Sequence, residues 1–252
     1  VEAHDCFLRG RELITGPVKN RDVFQRAVAA FMRAVELDPA YAEPYAGLGF
    51  AYCNDFQNRW SETPDPLGLA AHFAAQGIEK GPNEPYAHYV SAVVTMWQRD
   101  LDGAKAATEK CLALSPNYSR AYAVRGITLV YLGNPEAAVA DLEHSMRLDP
   151  MFTHQYMHFL GTAYLVAGRY AEAASAFRER IKLVPDTDLS RALLACALGH
   201  LGELAEARRM WRELMEVNAR YSLDQHLARL PFRDPAGADS IRAGLAAAGL
   251  PA

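Results

Sequence analysis

The chain is poor in the residue patterns that announce chemistry. Four cysteines (Cys6, Cys53, Cys111, Cys196) are scattered through 252 residues with no CxxC pair. That density excludes a disulfide framework and reads as reduced core thiols, which suits a cytoplasmic compartment. No run of Lys and Arg stands out, and the formal net charge is −4, so the electrostatic footprint of a nucleic-acid binder is missing. No apolar stretch approaches the roughly 20 residues of a membrane span. No GxxxxGK[ST] phosphate loop, GxSxG elbow or paired-glycine fingerprint occurs. His154 and His158 have a metal-compatible i, i+4 spacing, but no Glu of an HExxH pattern lies between them and no third ligand is near. Cys6 beside His4 and Asp5 sits close to the chain start and is no setting for a nucleophile. These absences argue against an enzyme and against a metal or other cofactor. Val rather than Met at position 1 leads to the expectation that the chain is cut from a longer one.

What the sequence has is a beat. Ala27, Ala70, Ala104, Ala138, Ala173 and Ala207 follow one another at steps of 43, 34, 34, 35 and 34. Four residues after each comes Phe31, Ala74, Thr108, Leu142, Phe177 or Trp211. Three further on lie Ala34, Gly77, Cys111, Ser145, Arg180 and Leu214. Pro39, Pro82, Pro116, Pro150 and Pro185 end the first five units, with Ala219 in the sixth. A small residue stands twelve positions before four of the alanines, at Ala92, Gly126, Gly161 and Ala195, and Gly49 and Gly10 take that slot ahead of longer turns. Small residues let two helices approach closely, larger ones fill the remaining space, and Pro stops the second helix. One such pair cannot bury its apolar face alone, so pairs must stack.

This 34-residue pattern resembles the tetratricopeptide repeat. It implies an all-α, right-handed superhelical solenoid of six helix pairs, at about residues 3–41, 42–84, 85–118, 119–153, 154–187 and 188–221. Residues 222–252 are expected to cap the last pair, with Asp234 and Pro235 starting a final helix. Arg180 and Leu214 depart from the small slot, so the last two pairs are expected to be splayed or repacked.

A narrower resemblance rests on three stretches: the opening "HDCFLRGRELIT", the insert "DFQNRWSETPDPLGLA" and the ending "LARLPFRDPAGADSIRAGLAAAGLP". Together with "AVELDPAYAEPYAGLGFAY" they are similar to the C-terminal repeat regions of bacterial class III adenylate cyclases and of some winged-helix regulators. The resemblance implies an interaction or regulatory region of a larger signalling protein. Any cyclase activity would belong to an upstream domain.

Stacked pairs of this kind expose a concave wall made of first helices. Helical spacing assigns to it Phe7 and Arg11, then Ala46, Phe50 and Asn54, then Tyr86, Tyr89, Val93, Met96 and Trp97. Arg120, Ala123, Ile127 and Tyr131 follow, then Gln155, His158 and Thr162, and last Ala192, Cys196 and His200. Tyr86, Tyr89 and Trp97 form the most interface-like group. Some relatives of the repeat grip acidic peptide ends with a Lys/Asn/Arg clamp, whereas the wall positions here carry Ala, Phe, Tyr and Val. The expected ligand is therefore an apolar segment of a protein or peptide. Two alternatives stay open. One is a wall that merely fills itself or meets a second copy in a homodimer. The other is a free-standing small-molecule sensor or adaptor with the aromatic groove as its pocket.

The stretch 54–66, "NDFQNRWSETPDP", interrupts the beat and lengthens the turn of the second unit. Thr63-Pro64 forces extended backbone, and Asp65-Pro66 reads as a cap followed by a first helical residue. Phe56, Arg59 and Trp60 have two readings: a lid folded back over the longer turn, or one lip of the ligand groove.

Overall fold

The computed structural model describes residues 1–16 and 18–251, and they form fourteen α-helices in two compact units, Val1–Tyr118 and Ser119–Ala252. Among the described residues none is in a strand, and no helix is long and apolar enough to cross a membrane. The fold is all-α, a stack of antiparallel helix pairs.

The first unit contains three pairs: α1 (Glu2–Thr15) with α2 (Arg21–Leu37), α3 (Ala42–Asn58) with α4 (Pro66–Lys80), and α5 (Pro85–Trp97) with α6 (Leu101–Leu114). Side chains of the local sequence start these helices. Asn20, Asp65 and Asp100 each accept the backbone N–H three residues on, at 2.9, 2.8 and 2.9 Å, so an orphan donor of the first turn is satisfied. Pro66 and Pro85 occupy first helical positions, where no N–H is needed. The Asp65-Pro66 start read from the sequence is the one that forms. The small residues of the repeat do what close approach requires. A Cβ at Gly10 or at Gly47 would fall 2.6 Å from the Phe31 ring, so α1 and α3 both press glycine onto the same fully buried phenylalanine of α2.

The second unit contains three more pairs and two closing helices. The pairs are α7 (Ser119–Tyr131) with α8 (Pro135–Leu148), α9 (Thr153–Val166) with α10 (Tyr170–Leu183), and α11 (Asp188–Leu201) with α12 (Leu204–Val217). A 3-10 turn at Pro150–Phe152 precedes α9. The tight turns inside these pairs place Gly133, Gly168 and Gly202 at φ of 85°, 76° and 75°, the left-handed region that glycine enters without strain. The interior slots again pair glycine with a large side chain, Gly126 on Leu142 and Gly161 on Phe177. Leu214, which breaks the small-slot rule, is fully buried, and Arg180 is partly buried.

After Val217 come α13 (Leu223–Arg229) and α14 (Pro235–Ala247). Asp234 accepts the Ala236 N–H at 2.9 Å with Pro235 next in line, the cap the sequence announced. α14 packs against α11 and also reaches α9. The α11–α14 crossing is glycine on glycine: a Cβ on Gly199 would collide with the Gly244 carbonyl oxygen. The chain just before α14 turns onto α7, where the Phe232 ring stands edge-on to Tyr131 at 5.0 Å and the Arg233 N–H donates to the Tyr131 carbonyl at 2.9 Å. The closing segment thus lies along the first helices α7, α9 and α11 of its unit.

Candidate functional site

The wall positions of the first unit form a continuous aromatic run. Phe7 of α1 meets Tyr41 edge-on at 5.6 Å and Tyr86 at 6.2 Å. Tyr86 stacks on Tyr89 at 6.2 Å, one turn along α5, and Tyr89 meets Phe50 of α3 at 5.9 Å and Tyr118 at 5.4 Å. Offset and edge-to-face pairs of this kind are each worth about 0.5–1.5 kcal/mol beyond area burial. The run is rooted rather than loose: Tyr89 is 6% exposed and Val93 6%, while Phe50, Asn54, Tyr86 and Trp97 keep part of their surface in solvent. Arg11 adds a cation at 5.5 Å over the Phe7 ring. Of the three residues singled out from the sequence, Tyr86 and Tyr89 are brought together. Trp97 stands two turns further along α5 from Tyr89, edge-on to Phe56 of α3 at 6.0 Å. Phe7, Tyr41 and Tyr118 extend the cluster. Phe7 was legible as a wall position, whereas Tyr41 and Tyr118 sit in turns that helical spacing does not assign.

The insert divides at Arg59. This exposed residue ends α3 in the left-handed region, φ 55°, and the reversal sends its neighbours to different places. Phe56, before it, faces Trp97 of α5. Trp60, after it, packs on Phe24 of α2 at 6.2 Å and joins the core of the first pair, with Phe24 and Tyr52 edge-on at 5.7 Å beneath. Phe56, Arg59 and Trp60 are therefore not one surface. What holds the loop is a residue the sequence reading passed over. Asp55 is 1% exposed and accepts both the Ser61 N–H at 2.8 Å and the Ser61 hydroxyl at 2.5 Å. Ser61 Oγ in turn accepts the Thr63 N–H at 3.1 Å. Removing one partner of a buried charged hydrogen bond costs more than the bond's net worth. Asp55→Ala is expected to destabilise the chain by about 2–3 kcal/mol and to open residues 59–65 to proteases, read by urea unfolding and limited proteolysis. An Asp55→Ala chain as stable and as resistant as wild type would discard the clip.

In the second unit the predicted wall is occupied. Ile127 and Tyr131 of α7 are buried, and Tyr131 carries Phe232 on its ring; burial raises its phenol above the ordinary range. Arg120 is partly exposed at the start of α7. His200 of α11 donates through Nε2 to the Ser240 carbonyl at 2.8 Å, and its ring stacks on Tyr170 at 4.0 Å. His158 of α9 bonds Ser190 Oγ at 3.1 Å, and its ring lies 6.0 Å from Phe177. Burial, helped by the charges of Arg180 and His226, holds His158 down to about 3, and burial with Arg229 nearby holds His226 down to about 4. The neutral imidazoles and burial-raised thiols of Cys53, Cys111 and Cys196, each pushed up to about 12, belong to packing rather than to nucleophilic chemistry. No group of three or more His, Cys, Asp or Glu gathers as metal ligands among the described residues.

Each unit is thus a helix-pair repeat scaffold, with small residues at the crossings and first helices presenting a wall. The tetratricopeptide repeat family model matches residues 119–150, the α7–α8 pair and the turn that follows it. Over 105 residues, 41% of its length, it is 37% identical to "Putative adenylate cyclase 3" of Rhizobium meliloti (strain 1021), and the match spans 18% of that relative. The crystal structure of PilW, a type IV pilus biogenesis factor, superposes with a TM-score of 0.66 at 18% identity, covering 90% of this chain and 97% of that one. TTC0263, a thermophilic repeat protein of Thermus thermophilus, gives 0.60 at 18% identity, covering 78% and 98%. At those identities the structural likenesses show the fold alone.

Proposed function

We propose that the chain is a non-enzymatic interaction scaffold whose first unit receives an apolar segment of a partner protein along Phe50, Asn54, Tyr86, Tyr89, Val93 and Trp97. One observation carries this reading. The chain supplies its own instance of such a contact in the second unit, where a Leu-Pro-Phe turn and a small-faced helix lie on first helices, with Phe232 edge-on to a wall tyrosine. The first unit presents the same kind of wall, richer in aromatic rings, with Phe50, Tyr86 and Trp97 partly open to solvent. Helix-in-groove recognition uses this chemistry, aromatic anchors and little charge. The likeness to an adenylate cyclase relative supports placing the scaffold in a larger bacterial signalling protein, as its interaction or regulatory region.

Because Tyr89 is built into the core, the informative variants are at the open edges. Tyr86→Ser with Trp97→Ser is expected to weaken capture of a specific partner at least tenfold while the far-ultraviolet spectrum is kept. Affinity capture with wild type and variant side by side, read by mass spectrometry, makes the comparison. Identical proteins retained by both would remove the wall from consideration. If the wall instead meets a second copy, sedimentation will show a wild-type dimer that the variant dissolves. An immunoblot of source lysate tests the larger context separately: a band far heavier than 27.8 kDa supports an appended module, and one at that mass argues against it.

A further inference from the structure

The closing segment does not lie where a stack of helix pairs would put its next element. Within the two units each second helix packs on the first helix of the following pair: α2 on α3, α4 on α5, α8 on α9, α10 on α11. A segment that only finished the stack would cover α12 in the same way. α14 packs instead on α11 and reaches α9, across the wall of first helices. The pairs beneath it keep cores of their own, with Leu142 on Gly126, Phe177 on Gly161 and Leu214 of α12 fully buried. The segment is likewise braced within itself. Arg242 pairs with Asp224 of α13 at 2.6 Å and with Asp239 at 2.9 Å, and the Phe232 ring folds against Gly237. Ser222 and Asp234 cap its two helices. Wall and segment are thus two bodies that meet at one interface.

The polar contacts across that interface read the path of the backbone. The His200 imidazole donates to the Ser240 carbonyl at 2.8 Å, Arg208 Nε donates to the Ala248 carbonyl at 3.2 Å, and the Tyr131 carbonyl accepts the Arg233 N–H at 2.9 Å. Each uses a main-chain atom of the segment, so any helix on the same path would offer the same groups. Arg208 also stands at the carbonyl end of α14, where the helix dipole favours a cation. Side chains of the segment enter at three points. Position 244 admits glycine, because a Cβ there would overlap the Cys196 carbonyl oxygen. Ile241 and Leu245, three before it and one after, are fully buried. Phe232, twelve before it, stands edge-on to Tyr131.

We propose that this wall of the second unit is a docking groove for a helix of a partner protein, and that the closing segment is its built-in competitor, masking the groove until the partner displaces it. The partner helix has the chemistry the groove already holds: glycine at the crossing, large apolar residues three before and one after it, and an aromatic residue leading in. His200, Arg208 and the Tyr131 carbonyl would bond its backbone as they now bond the segment's. The residues concerned all belong to the second unit, so a negative result here leaves the first-unit wall untouched.

The test uses the full chain and a fluorescent peptide of residues 221–251. Probe and tethered segment are the same, so half-displacement comes when the free peptide matches the segment's effective concentration, roughly millimolar for a short link. Wild type is expected to take up the peptide in that range by fluorescence polarisation, and trypsin should then cut its own chain at Arg233 and Arg242, read by intact mass. Gly244→Leu, which expels its own α14, should bind the wild-type peptide at least about a hundredfold more tightly, because its groove stands open. Gly199→Leu expels α14 as well but fills the crossing from the wall side, so it should take up none. A peptide carrying Gly244→Leu should bind to none of the three chains. If Gly244→Leu unfolds the unit, a protease site between Ala219 and Arg220 of an otherwise wild-type chain frees the segment after folding, and the labelled peptide should exchange into the cut chain. No uptake by the cut chain, equal uptake by Gly199→Leu and Gly244→Leu, or wild-type uptake only as the second unit unfolds would each make the segment a plain cap and overturn the proposal. A wild-type dimer in sedimentation that Gly199→Leu dissolves would give the groove to a second copy and overturn the partner.

Discussion

Replacing Gly244 by Leu will lift α14 off the first helices of the second unit and lower the stability of the chain by about 3–5 kcal/mol. The reasoning is steric first. A Cβ at Gly244 would overlap the Cys196 carbonyl oxygen and lie 2.6 Å from the His200 ring, and the nearer of these is backbone of α11 and cannot swing aside. The Gly199 approach from the other helix is closer still, so neither helix has room to yield. Separation then exposes Ile241 and Leu245, both fully buried in the intact chain. Burying a side chain of that size is worth about 1.5–3 kcal/mol. The His200–Ser240 hydrogen bond is lost in the same step. Ala246→Leu is the control, on the exposed face of the same helix, and is expected to change stability by under about 0.5 kcal/mol. Urea unfolding gives the energies, and trypsin cutting at Arg233 and Arg242 reports whether the segment has come free. A Gly244→Leu chain that unfolds with wild type and resists trypsin would mean the crossing is looser than its geometry says.

That crossing also marks where the sequence stops being informative. The repeat slots were legible because each one solves a local problem. Gly10 and Gly161 admit a phenylalanine ring, Asp65 satisfies a first-turn N–H, and Pro66 needs no donor. Such constraints act within one pair and leave a period in the sequence. The seat of α14 is a different kind of fact. Its apolar face, Ala238, Ile241 and Leu245, says that the helix must be covered, but not by which neighbour. Gly244 reads as an indifferent helix residue until Gly199, forty-five positions earlier, is known to stand against it. Sequence spacing therefore placed Tyr131, His158 and His200 on a wall, and could not report that the chain's own closing segment lies over part of it.

The same limit divides the first unit. Tyr86 and Tyr89 are three residues apart on one helix, so their contact follows from helix geometry. The separation of Phe56 from Trp60 follows from a left-handed residue at Arg59, a conformation that arginine does not advertise. Asp55 stayed unseen for a related reason. A carboxylate inside a helix reads as a solvated face, and only the returning loop, bringing Ser61 back to it, makes it a buried acceptor. Contacts made by a helix with itself are in the pattern, whereas contacts made by a reversal are in the turn.

Acid should undo the second unit first, through two histidines. His158 is held to about 3 and His226 to about 4, against an ordinary value of 6.5. The groups around them explain why. His158 is tied to Ser190 of α11, lies against the Phe177 ring of α10, and faces Arg180 and His226; His226 faces Arg229, with Asp188 opposing. Both imidazoles are therefore neutral when the chain is folded. Above about pH 6.5 they are neutral in the unfolded chain as well, and pH has no purchase through them. Below it the unfolded chain takes up protons that the folded chain refuses, so the unfolded state binds more protons and stability falls as pH falls. The slope reaches about 1.4 kcal/mol per pH unit for each histidine. It ends near 4 for His226 and near 3 for His158, where the folded chain is protonated too. Urea unfolding followed from about pH 7.5 to 5.0, above the range of ordinary carboxylates, reads the effect, to which His154, also held toward its neutral form by burial, adds in the same direction and the burial-raised Glu43 carboxyl opposes at the acid end. His158→Gln should make the slope clearly shallower, by up to about 1.4 kcal/mol per pH unit, while leaving the stability at about pH 7.5 within about 1–2 kcal/mol of wild type. A wild-type stability that stays level across that interval would show that these histidines charge freely in the folded chain, and that the packing around Ser190 and Phe177 opens to water.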